Sequence, residues 1–300
     1  VSNLKLRDKS PICYKYDCLY INKLWLFETE IANNISSRSA ISTQGLDIQN
    51  TVIVLDNLFD KEDTLNWQKI AVAKSLIRKF SIISGGPGTG KTTTVAKLIL
   101  ALQSLSKTKL DIQLVAPTGK AAQRLRESIT NSKGIIKNVN TSALPDEAKT
   151  LHRFLGIMPN STYIKYNREH KSLCDVLIVD EASMIDINMF INIIRAIKDD
   201  CKLILLGDTN QLPSVETGNI LAEFAKACDK NKYNLESIAF IEKTCGYKLS
   251  KSSSMYDFIT FLQKSYRTES QDILQLASNV IEGNTDIVGS QSVVYNKVSS

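Results

Sequence analysis

The sequence predicts an α/β domain in which helices cover both faces of a parallel sheet. Four short apolar runs recur along the chain, and turn residues and then a helical spacing of apolar residues follow them. Runs that are apolar on both faces are typical of parallel strands, because helices bury both sides of such a sheet. Strands that alternate with helices indicate a doubly wound arrangement. The predicted strands are 80–84, 112–116, 176–179 and 203–206.

Three stretches between or after these strands carry apolar residues at intervals of three and four, which is the spacing of an amphipathic helix. We interpret their apolar faces as helix surfaces that pack on the sheet, not as cofactor sites. The stretches contain Val95, Leu98, Ile99 and Leu102; Phe190, Ile193, Ile194 and Ile197; and Ile220, Leu221, Phe224 and Cys228.

Two further segments are less regular. Residues 1–50 contain short apolar clusters and then a polar stretch at 33–44, which predicts a small strand-plus-helix unit that ends in a linker. Residues 51–58 are apolar and stay ambiguous between strand and helix. Residues 161–166 alternate like one arm of a β-hairpin, so we expect a small hairpin insertion near 157–174.

Composition limits the class of protein. The 300 residues, 43% of them hydrophobic, suffice for one large domain or two ordinary ones. No apolar run approaches the roughly 18 residues that a membrane span needs, and no signal peptide is visible, so we expect a cytoplasmic protein without a membrane partner. The net charge of +6 is weak evidence for an anionic partner. The six cysteines include no C-x-x-C pair, which favours reduced thiols over a metal site.

Residues 85–92 read GGPGTGKT and match the P-loop pattern G-x-x-x-x-G-K-[ST] completely. The motif follows a predicted strand and precedes a predicted helix, as its mechanism requires. Glycines let backbone N–H groups surround an anion, and the helix N-terminus adds partial positive charge. Lys91 can then reach the β- and γ-phosphates, and Thr92 can hold Mg²⁺. The sequence therefore predicts an ATP site whose cradle is Gly85, Gly86, Pro87, Gly88, Thr89 and Gly90.

Two carboxylates, Asp180 and Glu181, directly follow the third predicted strand. The carboxyl ends of parallel strands meet at one edge of the sheet, so we expect both to lie near the P-loop. Asp180 would bind Mg²⁺ through water, and Glu181 would orient and deprotonate the attacking water. Acidic residues at strand ends also occur simply as solvated loops, and the upstream P-loop is what favours the catalytic interpretation.

With these motifs in place, the chain resembles superfamily 1 helicases, and more narrowly the RecD family, the alpha subunits of exodeoxyribonuclease V. The segments that carry the resemblance span about two thirds of the chain in the family's order. They are NWQK at 66–69, APTGKAA at 116–122, TLHRFLG at 150–156, DEASM at 180–184, GDTNQLPSV at 207–215 and LQKSYR at 262–267. The resemblance implies a RecA-like P-loop NTPase domain.

The resemblance also implies roles for single residues. Gln68 would contact the adenine, Gln211 would sense the γ-phosphate, and Arg267 would act as an arginine finger. From the residues alone, Lys120 can also be a solvated helix residue, His152 a structural histidine, and Arg267 a surface residue. The implied contacts to single-stranded DNA are Thr118, Lys120, Thr150 and His152.

As a whole, the resemblance implies an ATP-dependent 5′→3′ DNA helicase subunit of the RecBCD helicase/nuclease, which acts on DNA ends in double-strand break repair and recombination with RecB-like and RecC-like subunits. It divides the chain into the end of a partner-binding domain (1–50), a RecA-like ATPase domain (51–255) and the truncated start of a second RecA-like domain (256–300). A motor needs both lobes of its cleft, so we expect weak Mg-ATP binding without fast hydrolysis or unwinding.

Two alternatives remain open. One is a standalone RecD-like or relaxase-associated helicase, and the other is a truncated scaffold subunit that has no motor activity.

Overall fold

The computed structural model describes residues 10–60, 62, 64–136, 139–158, 163–211 and 220–264. The strands within these ranges are β1 Ile12–Lys15, β2 Cys18–Ile21, β3 Phe80–Ser84, β4 Ile112–Ala116, β5 Lys149–Thr150, β6 Val176–Val179, β7 Lys202–Gly207 and β8 Ile259–Phe261. The α-helices are α1 Asn22–Ser39, α2 Ile48–Leu58, α3 Trp67–Leu76, α4 Lys91–Leu105, α5 Gly119–Ile135, α6 Leu151–Leu155, α7 Ile187–Ala196, α8 Ile220–Lys226 and α9 Leu235–Cys245.

Six of the strands form one sheet in the order β5-β4-β6-β7-β3-β8, and every neighbouring pair is parallel. The predicted parallel sheet is therefore confirmed. Each of the four predicted strands begins and ends within one residue of the strand in the structure. Because all six strands run the same way, the loops that follow them meet at one edge of the sheet.

Helices cover both faces of this sheet. One face packs against α2, α4 and α5, and the other packs against α1, α7 and α8. Neighbouring residues of a strand face opposite sides, so that Ile83 joins the first core and Ile82 joins the second. The predicted apolar stripe of α4 is buried along its whole length. Full burial of one such aliphatic side chain contributes about 1.5–3 kcal/mol relative to exposure.

The N-terminal segment is an antiparallel hairpin of β1 and β2, followed directly by α1. The 18-residue helix α1 continues through half of the polar stretch that we expected to be a linker. Ile31 and Ile35, one helical turn apart, bury their side chains in the core beside α7. Two apolar residues at this spacing suffice to fix a helix on the sheet although most of its residues are polar. The ambiguous stretch at 51–58 is helical as part of α2.

A guanidinium joins the end of α1 to the sheet. Arg38 is 2% exposed, and its side chain donates hydrogen bonds to the carbonyl oxygens of Lys198 and Cys201. Lys198 and Cys201 lie between α7 and β7, so the helix is tied to the strand next to β3. A buried guanidinium that is hydrogen-bonded to carbonyl oxygens costs far less than one left without partners.

The sheet also extends past the expected domain boundary at residue 256. β8 pairs with β3 over three residues, Ile82↔Ile259 to Ser84↔Phe261, and forms the outermost strand. A strand of three residues is too short to produce a periodic sequence signal, which is why the sequence did not indicate it.

The expected hairpin near 157–174 is not found in its described part. Residues 163–166 form no strand, because the chain turns at Asn167, whose amide donates to the carbonyl oxygen of Ile164. Tyr166 packs beside the ring of Phe154 instead of extending along a strand. Residues 159–162 lie outside the described ranges. Among the described helices, none combines the length and the apolar character that crossing a membrane requires.

Candidate active site

The P-loop connects β3 to α4 at the carboxyl edge of the sheet. Gly88 and Gly90 have φ angles of 78° and 79°, a left-handed conformation that glycine adopts without steric cost. Lys91 is the first residue of the 15-residue helix α4, and its ammonium donates to the carbonyl oxygens of Gly85 and Gly86. The positive end of a helix and a lysine ammonium thus meet at one loop, which is the arrangement that binds phosphate.

The interior of the loop is tightly packed around Gly85. A side chain at this position would come within 2.5 Å of the Thr89 hydroxyl and 3.1 Å of Leu262 Cβ. The Thr89 hydroxyl itself donates to the carbonyl oxygen of Gly86 at 2.9 Å. Gln68 donates from Nε2 to the carbonyl oxygen of Thr89 at 3.1 Å, so the structure places this expected adenine contact directly against the loop. Gln68 and Thr89 share a groove with Leu262, Gln263 and Lys264.

The two carboxylates follow β6, which is separated from β3 only by β7. The pKa of Asp180 is raised to about 6, chiefly by burial and also by the charge of Glu181, while a hydrogen bond from the Glu181 N–H and the charge of Lys91 oppose the shift. A buried carboxylate with a raised pKa gains more than an exposed one from a nearby cation. Glu181 has a φ of 51°, which is uncommon for a residue with a side chain and typical of functional turns.

The donor set at this edge fits Mg²⁺. The Thr92 hydroxyl, on the second residue of α4, and the Asp180 carboxylate supply hard oxygen ligands. Across the described residues there is no group of three or more His, Cys, Asp and Glu side chains that could hold a metal ion. Mg²⁺ that bridges phosphates needs only one or two protein oxygens, since phosphate and water complete its octahedron.

The segment after β7 reaches the carboxylates from the other side. Asp208 is 7% exposed, and its carboxylate accepts the N–H of Asn210 at 3.0 Å. Gln211 accepts a hydrogen bond at Oε1 from the hydroxyl of Ser183, two residues after Glu181, at 3.4 Å. The structure therefore brings Gln211 to the carboxylate segment. Sequence reasoning did not single out Ser183, which lies within a recognised motif but carries no spacing signal of its own.

The four expected DNA contacts lie together on the β4–β5 side of the same edge, because β4 and β5 pair at Ala116↔Thr150. Thr118 and Thr150 are the N-caps of α5 and α6, and each hydroxyl accepts a backbone N–H at 3.2 Å. Capping is a structural role that leaves each hydroxyl free to donate its own proton. Lys120 and His152 follow as exposed side chains.

Some predicted residues lie outside the described ranges. They are Arg267 with the end of its motif, 265–267, and the end of the γ-phosphate motif, 212–215. Size alone does not indicate this site, since a cavity of about 1140 Å³ lies elsewhere, between the hairpin and α1. The backbone course and the charges identify the site instead.

Comparison with known proteins gives the family. A family model described as an AAA domain matches residues 68–217. The RecBCD enzyme subunit RecD of Haemophilus influenzae is 40% identical over 289 residues, which cover 92% of this chain and 45% of that protein. The ATP-dependent RecD2 DNA helicase of Deinococcus radiodurans is 36% identical over 146 residues, or 49% of this chain and 18% of the relative. A crystal structure of Bacteroides Pif1 bound to single-stranded DNA covers 75% of this chain and 47% of its own at 20% identity, with a TM-score of 0.42.

The chain spans about half the length of the RecD proteins it matches. The resemblance to RecD was first drawn from six short segments. Alignments with RecD proteins that cover about nine tenths of the chain confirm it. The matched residues of the family model include the P-loop, both carboxylates and Gln211. The chain therefore belongs to the AAA domain family, and within it to the group that resembles the RecD subunits of RecBCD enzymes.

Proposed function

We propose that this chain forms the nucleotide-binding lobe of a RecD-type, ATP-dependent DNA helicase subunit. One observation carries the proposal: Lys91, Asp180 and Gln211 converge at one edge of the sheet, and the expected DNA contacts occupy the adjoining strands of that edge. A site that binds only nucleotide has no need of a second, exposed row of donors beside it. The direction of movement, 5′→3′, is supported by the resemblance alone.

The side chains divide the chemistry of hydrolysis among them. Lys91 neutralises charge on the β- and γ-phosphates, and Thr92 and Asp180, the latter through water, would hold Mg²⁺. The metal, when bound, offsets the negative charge of the phosphate oxygens. Glu181 orients the attacking water and accepts its proton. Gln211, which lies beside the carboxylate segment, would sense the loss of the γ-phosphate.

A backbone hydrogen bond links the nucleotide half of the edge to the DNA half. The N–H of Asp180 donates to the carbonyl oxygen of Val115 at 2.9 Å, and Val115 precedes Thr118 by three residues. β4 and β6 are also paired along their length. A shift of the carboxylate segment during hydrolysis thus reaches the DNA-contacting loop through one strand.

Partners form a second part of the proposal: DNA ends, and RecB-like and RecC-like subunits in the cytoplasm. Five large apolar side chains of the hairpin are each between 42% and 83% exposed. Apolar residues scattered singly over a surface are ordinary, whereas a group of five indicates an interaction surface. The five are Ile12, Tyr14, Tyr16, Leu19 and Ile21. This face, here called the hairpin face, supports docking of a RecC-like partner.

The deciding experiment compares the wild-type chain with Lys91→Ala. Binding is measured with a fluorescent ATP analogue and Mg²⁺, and hydrolysis is measured with and without single-stranded DNA. The wild type is expected to bind the analogue weakly and to hydrolyse ATP slowly, at a rate that DNA increases. Lys91→Ala should lower hydrolysis about 100-fold or more, because the phosphate charge is then uncompensated. A scaffold without motor activity predicts that Lys91→Ala changes neither quantity.

A further inference from the structure

The outermost strand of the sheet, β8, has one edge that no strand covers among the residues that the structure describes. On its inner edge the Phe258 carbonyl oxygen and the Leu262 N–H are hydrogen-bonded to β3. Alternate residues of a strand direct their backbone groups to opposite edges, so Ile259 and Phe261 direct theirs outward. An open edge of this kind leaves donors and acceptors unpaired unless something else satisfies them.

A single side chain takes the place of the missing strand at Phe261. Asn231 donates from Nδ2 to the Phe261 carbonyl oxygen at 2.9 Å, and its Oδ1 accepts the Phe261 N–H at 2.9 Å. Both backbone groups of Phe261 are thus paired as they would be with a residue of an adjoining strand. The Tyr233 hydroxyl donates to the same Oδ1 at 3.2 Å, which helps to hold the amide in this orientation.

The identity of residue 231 serves the backbone as well as the pairing. Asn231 is 8% exposed and has a φ of 52°, a left-handed conformation in which asparagine is enriched. An asparagine is also the shortest side chain that carries both a donor and an acceptor in one plane.

The remaining outward carbonyl oxygen, that of Ile259, is held from α3. Lys74 donates to it at 2.7 Å and lies over the Tyr233 ring at 4.0 Å from the centroid. At the start of the strand, Arg78 forms a buried ion pair with Asp257. Both side chains come from α3 or the turn after it, and α3 also carries Gln68. Side-chain contacts therefore connect β8 to α3, the helix that contributes Gln68 to the nucleotide site.

The end of β8 leads directly into that site. Leu262 is 6% exposed, and its Cβ lies 3.1 Å from where a side chain on Gly85 would begin. Residues 262–264 line the groove that also contains Gln68 and Thr89. The backbone position of Phe261 therefore affects how close residues 262–264, which form one wall of the groove, lie to the P-loop.

We propose that Asn231 is a positioning residue for the nucleotide site, whose amide fixes residues 261–264 as the wall beside the P-loop. The inference rests on the proposed nucleotide-binding function. Asn231 lies outside every segment that carries the family resemblance and outside the residues that the AAA domain model matches. It acts through the backbone of its neighbour and touches no phosphate itself.

The test variant is Asn231→Gly, which keeps the left-handed backbone and removes the amide. Asn140→Gly is the matched control, because Asn140 also accepts a backbone N–H, from Ser142 at 2.9 Å, but does so at a short helical turn remote from β8. Two quantities are measured: backbone hydrogen exchange along the chain, and the Kd for a fluorescent ATP analogue with Mg²⁺. Asn231→Gly should speed exchange at residues 261–264 about tenfold and raise the Kd about three- to tenfold, whereas exchange in α7 stays unchanged.

A second variant, Asn231→Asp, keeps the shape and one acceptor but turns an oxygen toward the Phe261 carbonyl, so it should behave like Asn231→Gly. Unchanged exchange at 261–264 in both variants overturns the positioning role, and faster exchange with an unchanged Kd overturns its link to the nucleotide. Faster exchange throughout the chain, or an Asn140→Gly that raises the Kd equally, also overturns it. A wild type that binds no better than Lys91→Ala defeats the proposed function instead, and hydrogen exchange still decides whether Asn231 orders the segment.

Discussion

Neighbouring residues at the end of β6 occupy different environments that suit different tasks. Asp180 is half-buried, and its pKa is raised to about 6, chiefly by loss of solvent, so a cation beside it offsets an existing cost. Glu181 adopts a φ of 51° and caps a short helical turn, Ala182–Met184. A strained backbone at this residue is maintained by the packing of the turn around it.

The different tasks proposed for Asp180 and Glu181 predict that a change at Glu181 affects ATP hydrolysis more than nucleotide binding. Glu181→Gln keeps the size of the side chain and removes the proton acceptor, so nucleotide affinity should stay within about twofold while single-turnover hydrolysis falls about 100-fold or more. Glu169→Gln, at an exposed glutamate in the turn after Asn167, is the control and should leave both quantities unchanged. Hydrolysis by Glu181→Gln at the wild-type rate would remove Glu181 from the mechanism.

The sequence predicted those site residues whose spacing is short. The P-loop and the two carboxylates are contiguous runs at strand ends, and both lie where the parallel sheet requires. Asn231 has no such signal, because its partner Phe261 is 30 residues away and only the folded chain brings them together. Side chains that pair across long separations leave no periodic pattern in one sequence.

Among the secondary-structure elements, a similar limit separates the central strands from α1 and β8. Short runs of apolar residues predicted β3, β4, β6 and β7, since strands covered on both faces are apolar throughout. α1 is polar over most of its length, so the sequence predicted a helix within residues 1–50 but not its extent, and β8 has only three residues and was not predicted. Ile31, Ile35 and the ion pairs of Glu30 hold α1 in place, and backbone hydrogen bonds to β3 hold β8.

The ion pairs of α1 make a prediction that depends on pH. Glu30 accepts hydrogen bonds from Arg195 on α7 and from Arg168. The bond from Arg195 is the largest cause that holds the pKa of Glu30 below its ordinary value of 4.5; burial opposes it, and the bond from Arg168 and the charges of both arginines lower the pKa further. A lowered folded-state pKa contributes stability that is fully present above the unfolded-state pKa and is lost as the pH falls through the folded-state value.

Glu30→Gln should therefore lower the free energy of unfolding by about 1 kcal/mol at pH 7, a modest value because the pair is partly exposed. Urea titrations at pH 7 and pH 3 measure the difference between variant and wild type, which should shrink at the lower pH as the wild-type carboxyl becomes neutral. Glu28→Gln, at an exposed glutamate of the same helix, should show little loss at either pH. A Glu30→Gln deficit of equal size at both pH values would show that shape, not charge, fixes α1.

At the scale of the whole molecule, one sheet positions three proposed binding surfaces. The nucleotide groups follow β3, β6 and β7, the expected DNA contacts follow β4 and β5, and the hairpin face lies beyond α1. Because α1 is fastened to α7 and to the loop before β7, the hairpin is carried by the same core that forms the nucleotide site. A partner docked on the hairpin would be coupled mechanically to that core.

The hairpin face predicts a selective loss of assembly. Leu19 is 63% exposed on β2, and Leu235 is equally exposed, at 61%, on α9. Leu19→Asp should keep the melting temperature of the chain, since the side chain is in solvent, but should abolish co-purification with co-expressed RecB-type and RecC-type subunits, because a partner would have to bury the new carboxylate. Leu235→Asp tests the same change on another face and should leave assembly intact. Co-purification of Leu19→Asp at the wild-type level would show that the partner binds elsewhere, whereas loss with both variants would indicate a general effect of added negative charge on assembly.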